Sequence, residues 1–236
     1  MAFSRYCLEL RKNKELSQLE LSKILGLSFS QLRNLEKERT KFPRPEVLQR
    51  LAEYLGKDVF DVAYDVFFND DGKNMASDPA IEINRRYLVS RWFDGYILDP
   101  YIVLTDNDGQ QLHFDGSFRK SGFGDKRCLI GCCHRDAYLS ALNDPNQSDS
   151  LKKAVFSETF FIEKLNDTYP FREVRFVLDK SNDIDRRIFN EIKNICFINL
   201  GKNIDISFVL FDSDSKYSRS DTELHYVTNR SIKVDL

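Results

Sequence analysis

The chain has 236 residues, 42% of them hydrophobic and 31% charged, with a formal net charge of −2. This is the composition of a folded protein with one large domain or two ordinary ones, and it excludes a disordered chain or a protein basic along its whole length. No apolar run is long enough to span a bilayer and the first residues lack a signal-peptide core, so a cytoplasmic location and no membrane partner are expected.

The average charge hides an asymmetry. Residues 1–65 carry 12 Lys+Arg against 10 Asp+Glu, and the remainder is net −4. Five bases (Arg33, Lys37, Arg39, Lys41, Arg44) and two acids (Glu36, Glu38) lie between positions 33 and 44. The five cysteines, Cys7, Cys128, Cys132, Cys133 and Cys196, are odd in number and form no C-x-x-C pair. That pattern suits a reducing compartment and small buried side chains rather than a disulfide framework.

In chain order, residues 2–13 predict a first helix with Phe3, Cys7 or Leu8, and Leu10 inward. Ser17 is the expected N-cap of a second helix, with Glu20 at capping-box spacing. A tight turn at Gly26 follows. Ser28, with Gln31 three residues on, opens a third helix. Leu21, Leu25, Leu27, Leu32 and Leu35 fall where two such short helices pack, leaving the outer face of the third helix polar. Pro45 begins a fourth helix with Val47, Leu48, Leu51, Ala52 and Leu55 inward, and residues 57–66 add a fifth. The stretch 69–79, NDDGKNMASDP, reads as a linker between a first domain at 1–68 and a second at 80–236.

Beyond the linker, residues 80–93 predict a helix. YIVLT and LHFDGSF flank a DNDGQQ turn and form a hairpin, with KRCLIGCC as a third strand. A helix at 148–167, a strand FREVRFVLDK, a helix at 184–197, a strand IDISFVLFD and a tail strand in ELHYVTNRSIKV complete the expected order αβββαβαβ plus one strand. The fold class is thus an all-α N-terminal domain followed by an α/β domain with a mixed sheet.

LELRKNKELSQLELSKILGLSFSQLRNLEKERTKFPRPEVLQRLAEYL resembles the lambda-repressor-like (XRE) helix-turn-helix domain, over residues 3–63. The resemblance implies binding of double-stranded DNA with the helix at 28–36 in the major groove. One such helix is too small a footprint for tight specific binding, so a homodimer is expected, and no cofactor is expected. By position, Gln18 matches a phosphate-contacting glutamine, and Ser28 opens the recognition helix. Phe29, Ser30 and Asn34 match base-facing positions, while Lys37, Lys41 and Arg44 match phosphate contacts. Asn34 can pair bidentately with adenine, and Phe29 can touch a thymine methyl or pack on another protein. Arg33 and Arg39 can contact phosphate or pair with Glu36 or Glu38. Ser22 stands where the family usually has Ala. Glu38 stands where many members have the glycine that ends the helix.

The second domain has no comparable motif. No small-Gly cleavage dipeptide, G-x-G-x-x-G or P-loop occurs. Cys132, Cys133, His134, His113 and Asp136 are poorly spaced for a metal, because adjacent strand residues face opposite ways. Asp99, Asp115, Asp179 and Lys180 resemble, by element order, the acids and lysine of a metal-dependent PD-(D/E)xK nuclease, but the third strand from Arg127 on, RCLIGCC, lacks both acid and lysine; strand-end acids also serve as turn residues. Three functions stand at this point. They are a transcriptional regulator with a dimerising or effector-sensing second domain, a DNA-targeted nuclease, and a DNA-tethered protein-interaction module.

Overall fold

A computed structural model describes residues 2–39, 43–68, 78–105, 109, 111–120, 127–131, 135–163, 171–195, 204–212 and 223–227. The chain divides into two compact units, Met1–Ala76 and Ser77–Leu236. Lys41, Cys132, Cys133, His134 and the linker residues 69–77 lie outside the described residues.

The first unit is helical: α1 (Ala2–Asn13), α2 (Gln18–Leu25), α3 (Phe29–Glu36), α4 (Pro45–Leu55) and α5 (Val59–Phe68). Phe3, Cys7, Leu10, Leu21, Leu25, Leu32, Leu35, Val47, Leu48, Leu51 and Ala52 are buried. Cys7 turns inward and Leu8 outward, which resolves the choice left by periodicity. Leu27 and Leu55 are only half-buried. Ser17 and Ser28 both form reciprocal capping boxes, and the Ser17 bonds hold the Glu20 carboxyl below its ordinary range.

The second unit comprises α6 (Pro79–Phe93), β1 (Tyr96–Thr105), β2 (Gln111–Lys120), β3 (Arg127–Gly131), α7 (Arg135–Leu142), α8 (Gln147–Glu163), β4 (Phe171–Asp179), α9 (Asp183–Ile192), β5 (Asp205–Phe211) and β6 (Glu223–Tyr226). The expected order omitted α7. The strands lie in sequence order in one sheet. Pairs β3–β4 and β4–β5 are parallel, and the other three are antiparallel, giving a mixed sheet.

Strand alternation separates two faces. On β4 and β5, Val174, Phe176, Leu178, Ile206, Phe208 and Leu210 share one core with Tyr138, Leu142, Leu151, Val155, Ile188 and Phe189 of α7, α8 and α9. Their neighbours on β4, Glu173 and Arg175, face α6. There Arg175 donates to Tyr87 Oη at 2.6 Å and to both oxygens of Glu173. Ser207 Oγ also donates to Glu173, at 2.7 Å, so this buried polar cluster is internally satisfied.

The β1–β2 hairpin changes faces along its length. Phe118 meets the Tyr87 ring on the α6 side, while Phe114, of the same parity, lies in the opposite core. Between them on β2 sits Gly116, whose ladder partner is Pro100, the residue before Tyr101 at φ 56°. A Cβ on Gly116 would come within 2.7 Å of Leu88 Cδ1 and 3.0 Å of the Asp99 carbonyl oxygen, so only glycine fits this crossing.

Candidate DNA interface

The surface of interest is built by three devices, two local and one long-range. The Ser28 hydroxyl accepts from Gln31 N at 3.2 Å, and Gln31 Oε1 accepts from Ser28 N at 2.8 Å, which starts α3 at Phe29. Leu32 and Leu35 are buried, fixing the roll of α3. The opposite side carries Phe29, 47% exposed, together with exposed Ser30, Arg33 and Lys37 and half-buried Asn34. Ser30 Oγ lies 3.0 Å from Ser28 Oγ.

The third device is Glu36, which sequence reasoning treated only as a surface partner for Arg33 or Arg39. Its side chain is only 5% exposed and accepts from Arg11 Nε at 2.9 Å. Its second oxygen accepts from Gln18 Nε2. One carboxylate therefore ties α1, the start of α2 and the end of α3 together. A primary amide has two N–H groups and a carbonyl oxygen, so Gln18 keeps one donor beside the open N-terminus of α2. The Arg11–Glu36 tie spans 25 residues, so no local pattern in the sequence reveals it.

The C-terminus of α3 follows the sequence departure noted above. Lys37 is the C-cap, and Glu38 adopts φ 59°. Glu38 N donates to the Leu35 carbonyl and Arg39 N to the Asn34 carbonyl, at 3.1 and 2.9 Å. This is the paired-bond helix ending that normally uses glycine. Glu38 accepts from Ser4 Oγ at 3.0 Å rather than pairing with Arg33 or Arg39. Among the described residues Arg33, Lys37 and Arg39 have no acidic partner. Arg44, exposed, is the N-cap of α4, with Pro45 at its first turn.

Residues 8–62 match the Helix-turn-helix family. No curated protein and no solved structure matches the chain. The helix-turn-helix unit is a DNA-binding domain of the lambda-repressor-like (XRE) type, and the α/β unit belongs to no matched family. Among the described residues no helix is long and apolar enough to cross a membrane.

Outside the helix-turn-helix, the acids singled out for nuclease chemistry are dispersed. Asp99, on β1, lies 3.6 Å from Arg127 Nη1. Asp179 accepts from Ser181 N and Oγ, both at 2.8 Å, and so shapes the turn into α9, while Lys180 N donates to the Phe211 carbonyl. Asp115 accepts from Asn84 at 2.6 Å, and burial pushes its carboxyl above the ordinary range. β3 carries neither acid nor lysine. Exposed His113 meets Tyr101 Oη at 2.8 Å, and Asp136 is exposed on α7. Among the described residues no three His, Cys, Asp or Glu side chains converge as a metal site.

Sequence reasoning missed Asp185. It is fully buried and accepts from Arg135 Nε and Nη2 at 2.9 and 2.6 Å and from Asp179 N at 2.8 Å. This knot joins the starts of α7 and α9 to the end of β4.

Proposed function

We propose that the protein is a sequence-specific transcriptional regulator that binds double-stranded DNA as a cytoplasmic homodimer, with α3 lying in the major groove. The observation that carries this reading is the outer face of α3. Phe29 and Ser30 stand out from the helix, Asn34 lies one turn on, and Arg33 and Lys37 flank them without acidic partners among the described residues. Phe29, Ser30 and Asn34 face base edges in this reading. Gln18, Ser28, Arg33, Lys37, Lys41 and Arg44 hold the phosphates. A single recognition helix is too small for tight specific binding, so two copies read half-sites about one helical turn apart. The α/β unit (with domain limits 1–68 and 80–236) serves as dimerisation and effector module, taking a small molecule or protein as signal.

The test is selection of a binding sequence from random duplexes, followed by footprinting. Asn34→Ala is expected to relax one base position per half-site and to weaken specific binding by about 1–3 kcal/mol, leaving non-specific binding unchanged. A uniform loss on all sequences, or none, overturns the assigned orientation of α3.

A further inference from the structure

The two edges of the sheet are finished differently. β6, at one edge, is four residues long, and its Glu223 carboxylate accepts from Lys193 Nζ at 2.7 Å. A short strand carrying charge resists pairing with another sheet. β1, at the other edge, runs for ten residues. Pro100 and the left-handed Tyr101 interrupt it half-way, and beyond them that guard ends. Residues 101–105, YIVLT, and the facing 111–114, QLHF, include no Asp, Glu, Lys or Arg, in a chain that is 31% charged. Tyr101 is 63% and Val103 39% exposed, on the face they share with His113, whose Nδ1 lies 2.8 Å from Tyr101 Oη. On the other face Ile102, Leu104 and Leu112 are only partly buried against the core shared with α7, α8 and α9. The apolar core therefore reaches this edge with its last side chains still half-exposed.

We propose that this half of β1 is where a second copy of the chain docks, antiparallel and edge to edge, joining two sheets into one. The inference deepens the reading of the α/β unit as the dimerisation module and rests on it. An edge strand offers a row of backbone N–H and C=O groups, and another strand edge satisfies such a row. A second copy supplies one of matching length and composition. Pairing about a twofold axis through Val103 is self-complementary: Val103 meets Val103, Ile102 meets Leu104, and Tyr101 meets Thr105. Residues opposed across antiparallel strands share a face. Exposed Tyr101, Val103 and Thr105 therefore meet one another, while Ile102 and Leu104 carry one core into the next. Every side chain in these pairs is aromatic, β-branched or leucine, which suits neighbouring strands. Charge favours the same place. The chain beyond residue 65 is net −4, so two α/β units repel, and they approach with least repulsion along a strip without Asp, Glu, Lys or Arg.

The full-length protein is followed by analytical ultracentrifugation over a concentration series. The wild-type chain is expected to be dimeric. Val103→Lys and Val103→Glu each set like charges opposite one another across the axis, and each is expected to weaken dimerisation by roughly tenfold or more. Mixed in equal amounts, the two variants bring Lys opposite Glu. They are expected to associate with each other roughly tenfold more tightly than either does with itself, a recovery that misfolded chains would not show. Leu224→Lys, on the β6 edge, is expected to leave the dimer unchanged. A dimer that survives Val103→Lys, no recovery in the mixture, or an equal loss with Leu224→Lys overturns docking through β1 and leaves the dimer itself standing. A monomeric wild-type chain overturns both, and leaves the edge to a strand from another protein.

Discussion

Two glutamates occupy conformations that suit glycine. Glu15 follows α1 at φ 52° and Glu38 follows α3 at φ 59°. Gly26 and Gly56 hold the same left-handed position after α2 and α4. In all four endings the left-handed residue and the one after it donate back to the last turn, so the hydrogen bonding is equivalent and only the side chain differs. A β-carbon in this region is unfavourable by about 1–2 kcal/mol, while glycine loses somewhat more freedom on folding. Glu38→Gly and Glu15→Gly are therefore each expected to raise unfolding free energy by about 0.5–1 kcal/mol in urea titration. The two differ in their effect on DNA. Glu38 sits beside Lys37 and Arg39, so its removal should also strengthen binding to every duplex, whereas removal of Glu15 should not. Equal DNA affinity for both variants argues that the end of α3 does not approach phosphate.

At the scale of elements, what could be read from sequence was local. Ser17–Glu20 and Ser28–Gln31 lie three residues apart, so both helix starts follow from spacing alone. So does the antiparallel pairing of β1 with β2. α7 carried a signal that went unread: Tyr138, Ala141 and Leu142 are buried at helical spacing, in a segment too short to stand out. The Arg135–Asp185 contact spans 50 residues and the face change at Tyr101 and Gly116 depends on a crossing with α6; neither has a local trace. Asp185 illustrates how such a tie sets stability. Its carboxylate is fully buried, and its bonds to Arg135 and to Asp179 N hold two helix starts against one strand end. Breaking one side of a buried pair strands the other charge, at about 3–5 kcal/mol. Asp185→Asn is expected to lower the unfolding transition of the α/β unit by about that amount. The helix-turn-helix transition, monitored by DNA-dependent stabilisation, should stay in place. A variant with an unchanged urea profile would mean that Arg135 and Asp185 are held apart from the cooperative core.

For the whole molecule, charge and symmetry give opposite expectations, and that makes the dimer testable. Residues 1–65 are net positive and the rest is net −4, so the α/β unit repels DNA on electrostatic grounds. Removing it should tighten binding if each chain acts alone. If instead the α/β unit joins two copies, its removal uncouples two half-site contacts, and linked sites gain about 10²–10⁴ in avidity over separate ones. A fragment of residues 1–76 is therefore expected to bind the selected duplex more weakly than the full chain by about that factor, with the same base preferences in each half-site. Light scattering should find the full chain dimeric and the fragment monomeric. The comparison is best made at several salt concentrations, because the fragment makes the same phosphate contacts per copy and its salt slope should be about half that of the dimer. A fragment that binds as tightly as the full chain, with the same slope, leaves the α/β unit no part in holding DNA.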